Sequence, residues 1–139
     1  MDVIFVVGRV MLVFMFVAGG AAFHLGQRAA ATQAARQMGA PLPTIGVPLT
    51  GVAMVVGALM VALGVWADVG ALILALNVLM FAVFMHPFWR ADDATRDDQM
   101  QHFMKNLTIC GGMLVLFWVF NQHGADAPLT VTDPLLGRF

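Results

Sequence analysis

Polar side chains are scarce in this sequence, so the places where they gather stand out. His24, His86, Trp89, Arg90, His102, Lys105 and Asn106 fall at the borders of two polar connections. Imidazoles, an ammonium and an indole in such a setting can hold the polar head of an amphipathic molecule while its tail lies among apolar residues. Lys105 and Asn106 add hydrogen-bond donors. The competing reading is purely structural, because His, Trp and Lys also collect wherever helices meet a membrane surface.

Two further polar residues sit inside apolar runs. Arg9 lies about 9 Å into the first run, and Asn77 about 12 Å into the third from the same side. Arg9 is either a fixed positive charge facing Asn77 in the interior, or it reaches the surface and pairs with Asp68. Asn77 by itself reads first as a hydrogen bond between helices and second as a ligand contact. His24, His86 and His102 share one side with Asp92 and Asp93, but no spacing among them preorganises a metal ligand set, so no metal is expected. No Ser/His/Asp or Cys/His nucleophile arrangement and no glycine-rich phosphate loop is present. The single cysteine, Cys110, lies in an apolar run and can form neither an internal disulfide nor a CxxC pair. Catalysis by this chain alone is therefore the weakest of the functional readings.

The elements that must position these residues are set by hydrophobicity. Residues 3–22, 45–65, 69–85 and 107–120 are almost wholly apolar, and about 20 helical residues cross a hydrocarbon layer of roughly 30 Å. The fourth run reaches that length by taking in Phe103 and Met104 while Lys105 and Asn106 extend to the headgroups. Composition agrees: 60% of the 139 residues are hydrophobic and 11% charged, with a mean hydropathy of +0.85, more apolar surface than a soluble domain of this size can cover. With a formal net charge of −1 and dispersed basic residues, nucleic acid is excluded as a partner.

Backbone groups in lipid must be satisfied internally, and these runs lack the alternation of barrel strands. The fold class expected is all-α: an antiparallel bundle of four transmembrane helices. Trp66, Ala67 and Asp68 leave room only for a tight hairpin between spans two and three. The alanine-rich stretch 27–38 carries Arg28 and Arg36 and stops at Gly39, Pro41 and Pro43, which predicts a short interfacial helix in the first connection. The first span begins with Asp2 and holds Arg9, unlike a secretory signal, and is read as retained. Residues 1–122 form the membrane domain, and 123–139, with Leu135, Leu136 and Phe139 as apolar contacts, an irregular solvated tail. Arg28, Arg36, Arg90, Arg96 and Lys105 outnumber Arg9 and Arg138, so the connections are expected in the cytoplasm and both termini outside.

Gly19 and Gly20, Gly57 and Gly64, and Gly111 and Gly112 are expected to let helix backbones approach closely. The eleven methionines are read as adaptable core fillers. Asp92, Asp93, Asp97 and Asp98 form either a solvated loop or the start of a helix, where carboxylates complement the dipole.

Several of these residues, taken in order, resemble the DoxX family of small bacterial membrane proteins. Gly8 and Arg9 lead through an aliphatic run to Gly19, Gly20 and Phe23; Gly39, Ala40 and Pro41 precede the second helix; Gly57 and Gly64 follow within it. His86, Pro87, Phe88 and Trp89 close the third helix, and Gln101, Phe103, Lys105, Asn106, Leu107, Gly111 and Gly112 lead into the fourth. The resemblance covers the chain up to Asn121. One departure matters: many members carry a glutamate early in the second helix where this sequence has Met54. The resemblance implies a subunit of the bacterial inner membrane linked to redox systems, including thiosulfate to quinone electron transfer and assemblies against oxidative or thiol stress. A quinone is then the cofactor-like molecule expected, with Arg9, His24, Asn77, His86, Trp89, Lys105 and Asn106 as candidate ligand contacts and a protein partner or second copy beside the lipid bilayer. The alternatives are a non-catalytic scaffold for a partner protein and a small-molecule or lipid transporter.

Overall fold

The structure is a computed structural model that describes residues 2–137; Arg138 and Phe139, assigned above to the tail, lie outside the described residues. Helix α1 (Asp2–Ala18) continues directly into a π-helical segment (Gly19–Gly26), followed by α2 (Arg28–Gln37), α3 (Pro43–Leu63), α4 (Ala67–Met85), a 3-10 turn (Phe88–Arg90), α5 (Arg96–His123) and a last 3-10 turn (Gly124–Asp126). No strand occurs among the described residues. Four helical runs, Asp2–Gly26, Pro43–Leu63, Ala67–Arg90 and Arg96–Asp126, are long and apolar enough to cross a membrane.

Each span sorts its apolar residues by size and partner. Val3, Ile4, Met11 and Phe14 of α1 and Val115 and Trp118 of α5 face outward and are exposed, an arrangement that suits lipid and is unfavourable in water. The core is built from Phe16, Ala58, Leu74, Met113 and Phe120, each at most 1% exposed. Helix α4 lies centrally, packed most extensively on α5 and then on α3, while α3 also carries α1, the π-helical segment and α2. Backbones of α3 and α4 nearly touch. A Cβ on Gly70 would lie 2.7 Å from the Gly57 carbonyl oxygen, so only glycine permits this crossing. The glycines of α5 play no such part: a Cβ on Gly111 would meet nothing within 4 Å, and one on Gly112 only Leu12 at 3.9 Å.

The hairpin between α3 and α4 turns on Gly64 (φ 69°) and Trp66 (φ 45°), both in the left-handed region. The short helix expected in the first connection forms as α2. In α2, Ala31 and Ala35 are buried against Val47 and Met85, while Arg28 and Arg36 stay exposed. Pro43 occupies the first turn of α3, where a missing N–H costs nothing.

The segment after α5 is irregular beyond Asp126, but it folds back over one end of the bundle. Val131 N–H donates to the Gly64 carbonyl at 2.8 Å, and Trp66 N–H to the Thr132 hydroxyl at 2.7 Å. Beneath it lies Arg9, 2% exposed. Its guanidinium donates to the carbonyls of Pro128 (3.1 Å), Leu129 (3.0 Å) and Ala62 (3.2 Å) and to the Thr130 hydroxyl (3.3 Å). The rings of Phe5 and Phe120 sit 5.7 and 5.8 Å from its central carbon. Leu129 adopts φ 51°, a strain of about 1–2 kcal/mol for a side chain-bearing residue. In that conformation its carbonyl reaches the guanidinium.

The pairing expected for Arg9, with Asn77 or Asp68, does not form. Asn77 donates instead to the Ile73 carbonyl of its own helix at 3.0 Å. Asp68, wholly buried, accepts the N–H groups of Leu135 (3.2 Å) and Leu136 (3.0 Å). A lysine at position 9 carries its donors on one point and cannot span three carbonyls as a planar fork does. Arg9→Lys is expected to lower stability by about 2–4 kcal/mol in detergent unfolding and to expose residues 127–132 to protease; unchanged melting and digestion would refute the assignment.

Candidate functional site

The π-helical segment positions the first site residue. Small residues at 19–22 let the widened turn lie against α3: a Cβ on Gly51 would fall 2.6 Å from the His24 Cβ. Insertions of this type recur at functional positions because they redirect a side chain without breaking the helix. His24 Nδ1 lies 3.1 Å from the Gly19 carbonyl oxygen, and its ring packs on Phe81 at 5.3 Å.

Beside His24 opens a cavity of about 420 Å³, walled by α1, the π-helical segment, α2, α3 and α4, with Asn106 of α5 at its edge. Its deep end is apolar, formed by Phe16, Met54 and Val78, while His24, Thr50, His86 and Asn106 are the polar lining residues. Met15, Phe23, Met80 and Phe84 line the cavity and are also 38–47% exposed on the outer face. The hollow therefore communicates sideways with the region that lipid occupies. Met54 belongs to the apolar floor.

His86 ends α4, and its Nδ1 lies 3.1 Å from Gln99 Oε1 on α5. Its ring stacks on His102, centroids 4.9 Å apart. Lys105 donates to His102 Nδ1 at 3.0 Å, and His102 Nε2 faces Asp98 at 3.7 Å. This solvent-facing row ties α5 to the end of α4. The acidic stretch divides between the two expected settings: Asp97 and Asp98 lie in the first turn of α5, and Asp92 and Asp93 in the turn before it, where Asp92 accepts the Thr95 N–H (2.9 Å) and hydroxyl (2.6 Å), bonds that hold its carboxyl below the usual carboxylate range, and Asp93 pairs with Arg96 at 3.0 Å.

Of the seven candidate ligand contacts, the structure brings three together: His24, His86 and Asn106 line the main cavity. Trp89 lines a smaller neighbouring hollow of about 240 Å³ with Pro41 and Arg90 and packs edge-on against Phe88 and Phe103. Lys105 is exposed and committed to His102. Arg9 is bonded at the other end of the bundle, and Asn77 does not line the cavity; its Oδ1 is buried with no hydrogen-bond partner among the described residues. Thr50 and Met54 were not singled out as ligand contacts. Nothing in their residue types marks them; only the register of α3 against the π-helical segment brings them to the cavity. Among the described residues no cluster of three or more His, Cys, Asp or Glu could hold a metal.

A family model described as DoxX matches residues 4–87, more than half of the chain, from the first turn of α1 to just past the end of α4. Neither a curated protein nor a solved structure matches it.

The close seat of His24 on α3 can be tested directly. Gly51→Ala places a methyl group into the His24 and Leu25 side chains, and overpacking of this kind costs about 1–3 kcal/mol. The expected outcome is a lowered melting temperature together with shifted His24 imidazole resonances; an unaltered His24 signal would contradict this packing.

Proposed function

The chain belongs to the DoxX family, and on that premise we propose that this multi-pass membrane protein binds a quinone-like amphipathic molecule between its helices, by itself or in support of a redox partner. The observation that carries the reading is the cavity. Its volume, about 420 Å³, lies within the range of small-molecule sites, which combine an apolar wall with a few polar groups that orient the ligand. An apolar tail fits the floor of Phe16, Met54 and Val78, and the head meets His24, His86 and Asn106. A methionine at position 54 favours a tail in that position, because a carboxylate there would need a partner of its own.

Met54→Trp fills the floor with a bulkier ring. Native mass spectrometry of the protein in mild detergent reads bound small molecules and protein neighbours together. The wild-type chain is expected to retain a lipid-soluble quinone or to take up an added short-tail quinone, and the Met54→Trp chain to hold about tenfold less. Absence of any such molecule in both experiments would overturn the proposal.

We further propose the bacterial inner membrane as its location, with both termini outside. Support comes from the exposed Arg28, Arg36, Arg90, Arg96 and Lys105 at the cavity end, since basic residues are retained in the cytoplasm. Cys110 is buried, so single added cysteines report cleanly. In intact cells, an impermeant thiol reagent is expected to label Ala125→Cys and to leave Ala94→Cys unlabelled; the reverse pattern would invert the topology.

A further inference from the structure

Four polar side chains line the cavity, and the protein has already used the hydrogens of three. The Gly19 carbonyl near His24 Nδ1 can only accept, so that nitrogen carries the proton. In the neutral ring Nε2 then holds a lone pair. His86 Nδ1 donates in the same way to Gln99 Oε1, which again leaves Nε2 an acceptor. The Thr50 hydroxyl donates to the Val47 carbonyl at 3.0 Å, so only its oxygen lone pairs remain for a ligand. Asn106 alone keeps N–H groups to give. No hydrogen bond occupies either Nε2 among the described residues.

From this count we infer that the cavity prefers an amphipathic molecule whose head donates hydroxyl protons, the hydroquinone form over the quinone. The inference rests on the ligand class proposed above and concerns binding only. A quinone offers carbonyl acceptors alone, which would face three acceptors and a single amide donor. A hydroquinone places O–H groups against imidazole nitrogens, and its oxygens still accept from Asn106. A buried site built for a donor discriminates strongly against the analogue that lacks one, because its acceptors are then left unpaired.

The test uses the full chain in lipid nanodiscs with three probes of equal tail length: a short-tail benzoquinone, its hydroquinone under reducing conditions, and the hydroquinone dimethyl ether. The hydroquinone is expected to bind at least about tenfold more tightly than either of the others. For a two-electron couple, tenfold tighter binding of the reduced form raises its midpoint by about 30 mV. His24→Phe is expected to reduce the preference. Because that variant can also disturb the helix, 15N resonances of the wild-type imidazoles supply a second readout: Nε2 of His24 and His86 should be unprotonated. Equal binding of all three probes, tighter binding of the quinone, or a protonated Nε2 on both rings would overturn the inference while leaving an amphipath-binding cavity intact. Failure of all three probes to bind would remove that reading as well.

Discussion

A guanidinium inside an apolar bundle needs acceptors, and here its two terminal nitrogens find three backbone carbonyls and a hydroxyl and not a carboxylate, while Nε has no partner among the described residues. Arg9 draws on Ala62 at the end of α3 and on Pro128, Leu129 and Thr130 of the returning segment. In hydrocarbon no water would replace them. Asp68 solves the mirrored problem at the same end, taking the N–H groups of Leu135 and Leu136. Two opposite charges thus grip opposite poles of one backbone segment, and the irregular stretch acquires a fixed path without secondary structure. Each charge keeps its own set of hydrogen bonds, so neither depends on long-range attraction in the bundle. Gly64 fits the same design, since a Cβ there would fall 2.6 Å from the Thr130 Cα.

With one end sealed in this way, the other is free to stay open. Helices α1 and α4 stand on either side of a hollow whose outer rim is Met15, Phe23, Met80 and Phe84, flexible or aromatic side chains that tolerate a changing apolar neighbour. The π-helical segment serves both halves of this arrangement. It lets α1 run as one span from Arg9 to the cavity while setting His24 against Gly51. Helix α2 covers the mouth with its alanine face and presents its arginines outward, so the polar and apolar regions of the site remain separated.

The four spans, the tight hairpin and the interfacial helix were legible because each depends on a local property of the chain: run length, connection length, or a small-residue face ended by Gly39, Pro41 and Pro43. The partners of Arg9 were not. Its bonds go to carbonyls, which every residue owns, and no side-chain type advertises which carbonyls will be near. Asp68 invited an ion pair by its charge and position, yet backbone N–H groups claimed it. Glycine content does not reveal which helix face meets a neighbour: Gly51 and Gly70 make the close approaches, and Gly111 and Gly112 do not. His24, His86 and Asn106 were legible as members of a polar rim. Their separation from Lys105 and Trp89 depends on α5 turning Lys105 toward His102, a tertiary outcome.

The path of the returning segment also bears on biogenesis. Arg9 and its acceptors on the returning segment are 119 to 121 positions apart in the chain, so a ribosome adding about 5–20 residues per second needs roughly 6 to 24 s between them. During that interval the first helix is already made, and of its final acceptors only the Ala62 carbonyl is yet in the chain. Full burial of Arg9 therefore waits for residues 128–130 and is a late event in assembly.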